Sequence, residues 1–162
     1  MRILTHPNPV LKDTARVVDP TRDLELRGLV AQMARTMYAA PGVGLAAPQV
    51  GIQKRVIVFD VDDKLFALCN PAIIDASEDT QVNEEGCLSL PELVVDIERP
   101  ARVTCEALDL DGATVRIDAD GMLARVLQHE IDHLDGVLII DRAEPEQRKA
   151  ALRLYLSLGQ TG

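Results

Sequence analysis

Apolar residues recur at helical spacing between residues 21 and 39. Side chains of Leu, Val and Met lie three or four positions apart there, and acidic residues stand near the start, which is typical of an amphipathic helix. Thr21 is the predicted N-cap, and Pro41 with Gly42 is predicted to end the helix. The apolar positions are Leu24, Leu26, Leu29, Val30, Met33 and Met37.

A second helix is predicted over residues 119–134, with Asp120 as its cap and Gly136 as its stop. Its apolar side chains occupy most of its circumference rather than one stripe, which predicts that the helix is buried. They are Met122, Leu123, Val126, Leu127, Ile131 and Leu134. A third helix is predicted over residues 145–158, with Pro145 in the first turn, where proline is tolerated.

Between the first two helices the pattern changes to short runs of β-branched residues separated by turn-forming residues. Short strands joined by short turns favour antiparallel sheets, and Asp111-Gly112 is a strong hairpin signal. No repeat or linker interrupts the pattern, so we predict an α+β fold in a single domain, residues 1–162. The predicted strands cover residues 55–61, 65–69, 73–76, 80–83, 93–98, 102–108 and 113–117.

The composition indicates which residues form the core and which kind of partner is excluded. Apolar residues make up 47% of the 162 residues but aromatic residues only 2%, so the core must consist of Val, Leu, Ile and Ala. The formal net charge of -9 argues against general nucleic-acid binding, because attraction to phosphates requires a basic face.

The chain contains no apolar run near the roughly 20 residues that a membrane-spanning helix needs. Its first residues also lack the continuous apolar stretch of a signal peptide. We therefore expect a cytoplasmic protein without membrane contact. Three cysteines in such a chain argue against a disulfide framework and leave burial, metal binding or nucleophilic chemistry as their roles.

The most specific chemical pattern is HEIDH at residues 129–133. Two histidines four positions apart lie on one face of a helix and can reach a single divalent metal. Glu130, between them, can act as a general base toward water activated by that metal. The alternative is a solvated helix turn that has this pattern by chance. The predicted burial favours a metal site, because unpartnered polar side chains are costly to bury.

A catalytic site of this kind usually has three protein ligands. No histidine follows His133, and His6 is interpreted as a surface residue. Cys69 and Cys105 lie in predicted strands and are interpreted as buried apolar side chains. Cys87 follows two acidic residues and a glycine, where a thiolate would be disfavoured unless a cation offset the negative charge. We infer that Cys87 is the third ligand. The alternatives are Asp135, Asp141, Glu144 and Glu146.

Three segments occur in this order along the chain: GVGLAAPQ at 42–49, EGCLS at 85–89 and QHEIDH at 128–133. Together they resemble the three motifs of the peptide deformylase family. The opening residues and the first predicted helix also resemble that family, so the likeness covers nearly the whole chain. Three ordered motifs are much more specific than the histidine pattern alone.

The resemblance implies a metallohydrolase that removes the formyl group from the N-terminal formyl-methionine of new polypeptides and releases formate. N-formylmethionyl nascent peptides would be its substrates. It also implies antiparallel β-sheets packed around a central metal-binding α-helix, with an N-terminal helix and a C-terminal helix. One divalent metal per chain is implied, Fe(II) first, with Zn, Ni or Co able to occupy the same site.

Carried over position by position, the resemblance also implies roles for individual residues. The metal ligands would be Cys87, His129 and His133. Glu130 would be the general base, and Gln49 with the backbone N–H of Leu88 would polarise the formyl oxygen. The residues around the substrate would be Gly42, Val43, Gly44 and Val126, with the methionine side chain near the two valines and the peptide added as a strand along the glycines. A tight turn is the alternative role of these glycines.

Two further expectations concern charged residues. Asp132 is predicted to face away from the metal and to pair with a cation, for which Arg99 is the candidate. In some bacterial members the C-terminal region docks on the ribosome through basic residues, although a solvated helix face is the simpler interpretation here. The candidate residues for that contact are Arg142, Arg148, Lys149 and Arg153.

Residues 93–95 (LVV) depart from those members that have a basic residue after the LPE segment, which leaves contacts to the substrate's tail open. Two rival functions also remain at this point. A peptidase would use the same helix on an internal peptide bond, and a non-catalytic module would hold the metal without any reaction.

Overall fold

The computed structural model describes residues 1–161, and its side chains through Gly159. It has four α-helices within this range. They are α1 (Leu26–Ala39), α2 (Gly121–Leu134), α3 (Ile139–Arg142) and α4 (Pro145–Thr161). Two short 3-10 helices, Pro9–Lys12 and Ala47–Val50, precede the longer strands.

Seven strands form two antiparallel sheets. The larger sheet has the order β1-β2-β3-β6-β7, and β4 pairs with β5 in the smaller one. The strands are β1 (Gly44–Ala46), β2 (Val56–Val61), β3 (Lys64–Ala76), β4 (Thr80–Cys87), β5 (Leu90–Pro100), β6 (Arg102–Leu108) and β7 (Thr114–Asp120). The predicted α+β class and antiparallel pairing are therefore confirmed.

Strand β2 explains how the helices are placed. Val56 and Val58 pack into one hydrophobic cluster with α1, whereas Ile57 and Phe59 pack into another with α2. Because successive side chains of a strand point to opposite faces, α1 and α2 cover opposite faces of the larger sheet. This double coverage is why β2 is a continuous apolar run. Helices α3 and α4 pack on β5 in a third cluster, and α2 also contacts β5.

The first helix begins later than predicted. Residues 19–25 form turns in which Asp19 accepts hydrogen bonds from the backbone N–H and the hydroxyl of Thr21. Thr21 is therefore not the N-cap, and Leu24 is 96% exposed instead of facing the core. The helical periodicity was extended too far because local turns stabilised by aspartate compete with helix in this segment.

The strands differ from the prediction mainly in length. The predicted strands 65–69 and 73–76 are one strand, β3, which continues through irregularities in its pairing with β6. Asn70, at φ +51°, accepts from the backbone N–H of Val18 and donates to its carbonyl, so the expected break is stabilised by tertiary contacts. The 111–112 hairpin is confirmed, since Gly112 has φ +84° between β6 and β7.

Within residues 1–161, none of the helices combines the length and the apolar character that a membrane crossing requires.

Candidate metal centre and substrate cleft

Three potential metal-binding side chains meet between the end of β4 and the middle of α2. The ligand atoms of Cys87, His129 and His133 all lie within 4.8 Å of one another. The Cys87 Sγ atom is 3.3 Å from Nε2 of His133. The helix supplies two of them because residues four apart share a face, and the strand brings the third through the tertiary fold.

Glu85 orients one of these histidines. Its Oε1 atom lies 2.9 Å from Nδ1 of His129, and its carboxylate also receives hydrogen bonds from Arg99 at 2.6 and 3.0 Å. Arg125 donates to Oε2 of the same carboxylate at 2.5 Å. With Nδ1 occupied in this way, Nε2 of His129 is the nitrogen that remains for a metal.

The charge on Glu85 is strongly favoured by these partners. Burial alone would raise its pKa, but the hydrogen bonds from His129 and Arg99 outweigh burial and lower the pKa to about 2. The two acidic residues before Cys87 differ in their surroundings. The Glu85 carboxylate is paired with Arg99, Arg125 and His129, whereas Glu84 is exposed.

Asp132 and Arg99 form the predicted ion pair. Nη1 of Arg99 donates to Oδ2 of Asp132 at 2.9 Å, and both side chains are largely buried. Arg142, from α3, donates to both oxygens of the same carboxylate at 3.1 and 2.8 Å. The pairing of Asp132 with Arg99 is therefore confirmed, and Arg142 is an additional partner that the prediction lacked.

Glu130 is only 3% exposed, and its Oε2 atom has no hydrogen-bond partner among the described residues. Its Oε1 atom lies 3.7 Å from Nε2 of His129. Burial raises the pKa of this carboxyl to about 7, and the charge of His129 opposes the shift. Burial also lowers the pKa of His133, while hydrogen bonds with Cys87 and Glu85 overcome burial and raise that of His129.

Two hydrogen bonds hold the side chain of Gln49 at the edge of this cluster. Its Oε1 atom accepts from the backbone N–H of Ala46 at 2.9 Å, and Nε2 donates to Oγ of Ser89 at 3.1 Å. The same Nε2 atom lies 3.8 Å from Sγ of Cys87. The amide N–H groups therefore face the metal cluster, while the amide oxygen fixes the turn after β1.

This arrangement fits a divalent metal. One thiolate and two imidazoles are a donor set suited to zinc or iron, and catalytic sites have three protein ligands with one position left for water or substrate. The unpartnered oxygen of Glu130, buried beside the three ligands, is the group expected next to such an open position. Among the described side chains, those through Gly159, no other three metal-binding residues lie together.

A cleft of about 1230 Å³ opens onto these residues. Its walls are residues 40–44, including Val43, together with parts of β4, the start of β5 and α2, including Val126. Strand β1 is at an edge of the larger sheet, and its first residue, Gly44, borders the cleft. Of the predicted site residues, those bordering it are Gly42, Val43, Gly44, Gln49, Cys87, Leu88, Val126, His129 and Glu130.

The two glycines of this wall lie against other site residues. A Cβ atom on Gly44 would stand 3.0 Å from both Cγ and Cδ of Glu130, and one on Gly42 would stand 2.7 Å from Cδ1 of Leu88. Access for a peptide is one predicted reason for these glycines. The contact with Glu130 gives a second reason for the absence of a side chain at Gly44, whereas at Gly42 the end of the Leu88 side chain can move aside.

Glu85 and Arg125 are the residues of the site that sequence analysis missed. Glu85 shares the inner face of β4 with Asn83, and Arg125 lies four residues before His129 on the same helix face. That helical spacing was a usable signal for Arg125. The sequence held no equivalent signal for the contact of Glu85 with Arg99, because their meeting depends on the pairing of β4 with β5.

Comparison with known proteins identifies the family. A sequence model of the polypeptide deformylase family matches residues 1–149. A peptide deformylase of Natranaerobius thermophilus is 50% identical over 144 residues, which are 88% of this chain and 92% of the relative.

Solved structures agree with this relation. The crystal structure of peptide deformylase from Thermotoga maritima is 46% identical with a TM-score of 0.85, covering 89% of this chain and 97% of that one. A peptide deformylase from Synechococcus elongatus in complex with actinonin is 43% identical with a TM-score of 0.90, covering 96% of this chain and 85% of that one. The chain therefore belongs to the polypeptide deformylase family, metal-dependent hydrolases that remove the formyl group from new polypeptides.

Proposed function

We propose that this chain deformylates N-formylmethionyl peptides with Cys87, His129 and His133 as metal ligands and Glu130 as general base. The observation that supports this assignment most directly is the meeting of those three ligand atoms within 4.8 Å beside the unpartnered Glu130 carboxylate. The native metal in this proposal is Fe(II), with Zn, Ni or Co able to replace it. When bound, the metal supplies a Lewis acid and lowers the pKa of water.

Glu130 moves the proton in this mechanism. Its free Oε2 atom accepts a proton from the attacking water and returns it to the nitrogen of the departing peptide. The formamide C–N bond breaks, formate leaves and the peptide keeps a free amino group. Because Gly44 has no side chain, the carboxylate can stand at the cleft wall without displacement.

Gln49 and Leu88 stabilise the oxygen on which negative charge develops. The Nε2 group of Gln49 is held in place by the bonds of its carboxamide to Ala46 and Ser89, so it needs no reorganisation during the reaction. The backbone N–H of Leu88 is the proposed second donor. Loss of one such donor typically costs about 3 kcal/mol of transition-state stabilisation.

The substrate peptide extends along the free edge of β1. Gly44 of β1 and the two residues before it, Gly42 and Val43, border the cleft, and an extended peptide can pair with this segment as an added strand. The methionine side chain then points between β4 and α2, toward Val126 and with Val43 nearby. This orientation places the formyl carbon at the end of the cleft that contains the metal ligands.

The test is release of formate from formyl-Met-Ala by anaerobically purified protein whose metal content is measured in parallel. We expect formate release in proportion to bound metal, and no cleavage of internal bonds in casein. Casein cleavage without formate release would favour the rival peptidase. Stoichiometric metal binding with no formate release would favour a non-catalytic metal-binding module.

The proposal extends to the whole chain and its setting. Residues 1–162 are proposed to act as one catalytic domain in the cytoplasm, where formylated new polypeptides arise. A ribosome contact through the C-terminal region is the proposed role of the basic residues there. Arg142 is paired with Asp132, Arg148 with Asp141 and Lys149 with Glu146, so three of the four candidate cations already have partners within the chain.

A further inference from the structure

The face of β4 that carries the buried Glu85 also carries a polar residue, Asn83, that borders the cleft. Asn83 shares this face with Glu85, because side chains alternate along a strand, and its cross-strand partner on β5 is the fully buried Ile97. Asn83 is nevertheless exposed, and it borders the cleft. Its exposure therefore comes from the cleft itself and not from an outward orientation.

In the proposed orientation of the substrate, Asn83 lies along the path of the first side chain. On α2, Val126 and Met122 precede His129 by three and seven residues and line the cleft, which places Met122 about 10 Å from His129 along the helix axis. On β4, Asn83 precedes Cys87 by four residues, about 13 Å of strand. Both walls thus lead away from the metal ligands, and Asn83 stands at the far part of the space between them.

The carboxamide of Asn83 is available to a ligand. Arg125, the neighbouring polar residue of this wall, donates to the Glu85 carboxylate and to the carbonyls of Ile97 and Gln81. Asn83 has no side-chain hydrogen bond within the described part of the chain. Val126 and Met122 line this part of the cleft with apolar side chains, and the Asn83 N–H group is a donor that can meet a polar side-chain end there.

We propose that Asn83 is a specificity-determining residue that lets the cleft accept a first side chain ending in a hydrogen-bond acceptor, with methionine sulfoxide as the substrate concerned. This inference rests on the proposed deformylation. Oxidation converts the apolar thioether into a polar sulfoxide, which is costly to bury without a donor. The reaction is unchanged: water adds to the formamide, formate leaves, and the sulfoxide keeps its oxidation state.

The experiment compares kcat/KM for formyl-Met-Ala and formyl-methionine sulfoxide-Ala in wild type, Asn83→Leu and Asn83→Asp. Leucine removes the donor, and aspartate keeps the shape but presents only acceptors at neutral pH. We expect wild type to use the sulfoxide within about tenfold of the thioether, and both variants to lower the sulfoxide-to-thioether ratio by about tenfold or more. Val82→Leu is the matched control, since Val82 lies on the opposite face of β4 and is 60% exposed.

The outcomes separate this inference from the function on which it rests. An unchanged ratio in Asn83→Leu, or a fall in Asn83→Asp alone, overturns the role of the donor. A wild-type kcat/KM for the sulfoxide more than about a hundredfold below that for the thioether also overturns it. Absence of formate from formyl-Met-Ala in wild type would instead count against the proposed function. Thermal unfolding of each variant shows that the ratio is measured on folded protein.

Discussion

At the scale of single residues, the site depends on carboxylates in contrasting surroundings. Glu85 is buried among two arginines and a histidine and stays charged, with a pKa lowered to about 2. Glu130 is equally buried, but one of its oxygens has no partner in the described structure, and burial raises its pKa to about 7. The two carboxyl groups therefore suit different roles: Glu85 orients His129, and Glu130 transfers a proton.

Replacement of Glu130 by glutamine should separate metal binding from chemistry. Glutamine keeps the size of the side chain but cannot accept the proton, so kcat/KM should fall by about 10²- to 10⁴-fold. Metal content should stay at the wild-type level, because Glu130 is not one of the three ligands. The measurements are formate release and metal analysis, with the exposed Glu78→Gln as control. Near-normal activity in Glu130→Gln would eliminate Glu130 as the base.

At the scale of elements, strand β1 and helix α2 are in close contact at the catalytic end of the cleft. Gly44 on β1 leaves just enough space for Glu130 on α2. Further along the chain, α3 is attached by Asp141, whose carboxylate accepts from the backbone N–H of Leu138 at 2.8 Å and pairs with Lys12. These contacts tie α3 to the 3-10 helix Pro9–Lys12.

The change Gly44→Ala should damage activity more than stability. The added Cβ would stand 3.0 Å from Glu130, so the carboxylate must move by a few tenths of an ångström. Because small displacements of a catalytic group are costly, we expect kcat to fall about tenfold or more. Gly28→Ala is the matched control, since nothing lies within 4 Å of its Cβ position in α1 and alanine favours helix. Equal effects of both changes on kcat would contradict the contact with Glu130.

Asp141→Asn should lower stability in a pH-dependent way. Burial alone would raise the pKa of Asp141, but its hydrogen bonds with Lys12 and Leu138 outweigh burial and lower the pKa. A lowered pKa in the folded state stabilises the protein above the unfolded value and ceases to do so as pH falls through the folded value.

Urea unfolding should therefore show that Asp141→Asn lowers the free energy of unfolding by about 1 kcal/mol at pH 7. The difference from wild type should shrink as pH falls below the ordinary aspartate value of about 3.9. A difference that stays constant across this range would show that the charge of Asp141 contributes nothing.

At the scale of the whole molecule, a buried charge network joins the smaller sheet to α2 and α3. Arg99 on β5 pairs with Glu85 on β4 and with Asp132 on α2, and Arg142 extends the network to α3. The network also includes His129 through Glu85. The stability of the fold and the orientation of a metal ligand thus depend on the same arginine.

Arg99→Ala should lower both the free energy of unfolding and metal retention. It leaves Glu85 and Asp132 buried with fewer partners, and breaking a buried ion pair from one side typically costs about 3 to 5 kcal/mol. Denaturant unfolding and competition with a chelator are the measurements. Arg102→Ala is the control, because Arg102 pairs with Asp79 on the surface, where such pairs contribute little. Wild-type stability and metal retention in Arg99→Ala would refute this role.

Much of the architecture could be predicted from local patterns, and the failures have physical causes. The buried helix 121–134 was predicted well because its apolar periodicity agrees with its tertiary environment. The predicted start of α1 was wrong because turns around Asp19 and Asp23 outweigh a weak helical tendency. Strand β1 and the helix Ala47–Val50 were not predicted, because a run of small residues has no strong periodicity.

The sequence by itself determined the pair of histidines, the glutamate between them and the pairing class of the strands, because these follow from helix and strand periods that act over a few residues. Only the tertiary structure decided how Cys87 reaches the histidines, why Glu85 helps the site and what confines Gly44. Those contacts join residues distant in sequence through the pairing of β4 with β5 and the packing of α2 between the sheets. Packing of that kind depends on the whole chain, so no local pattern contains it.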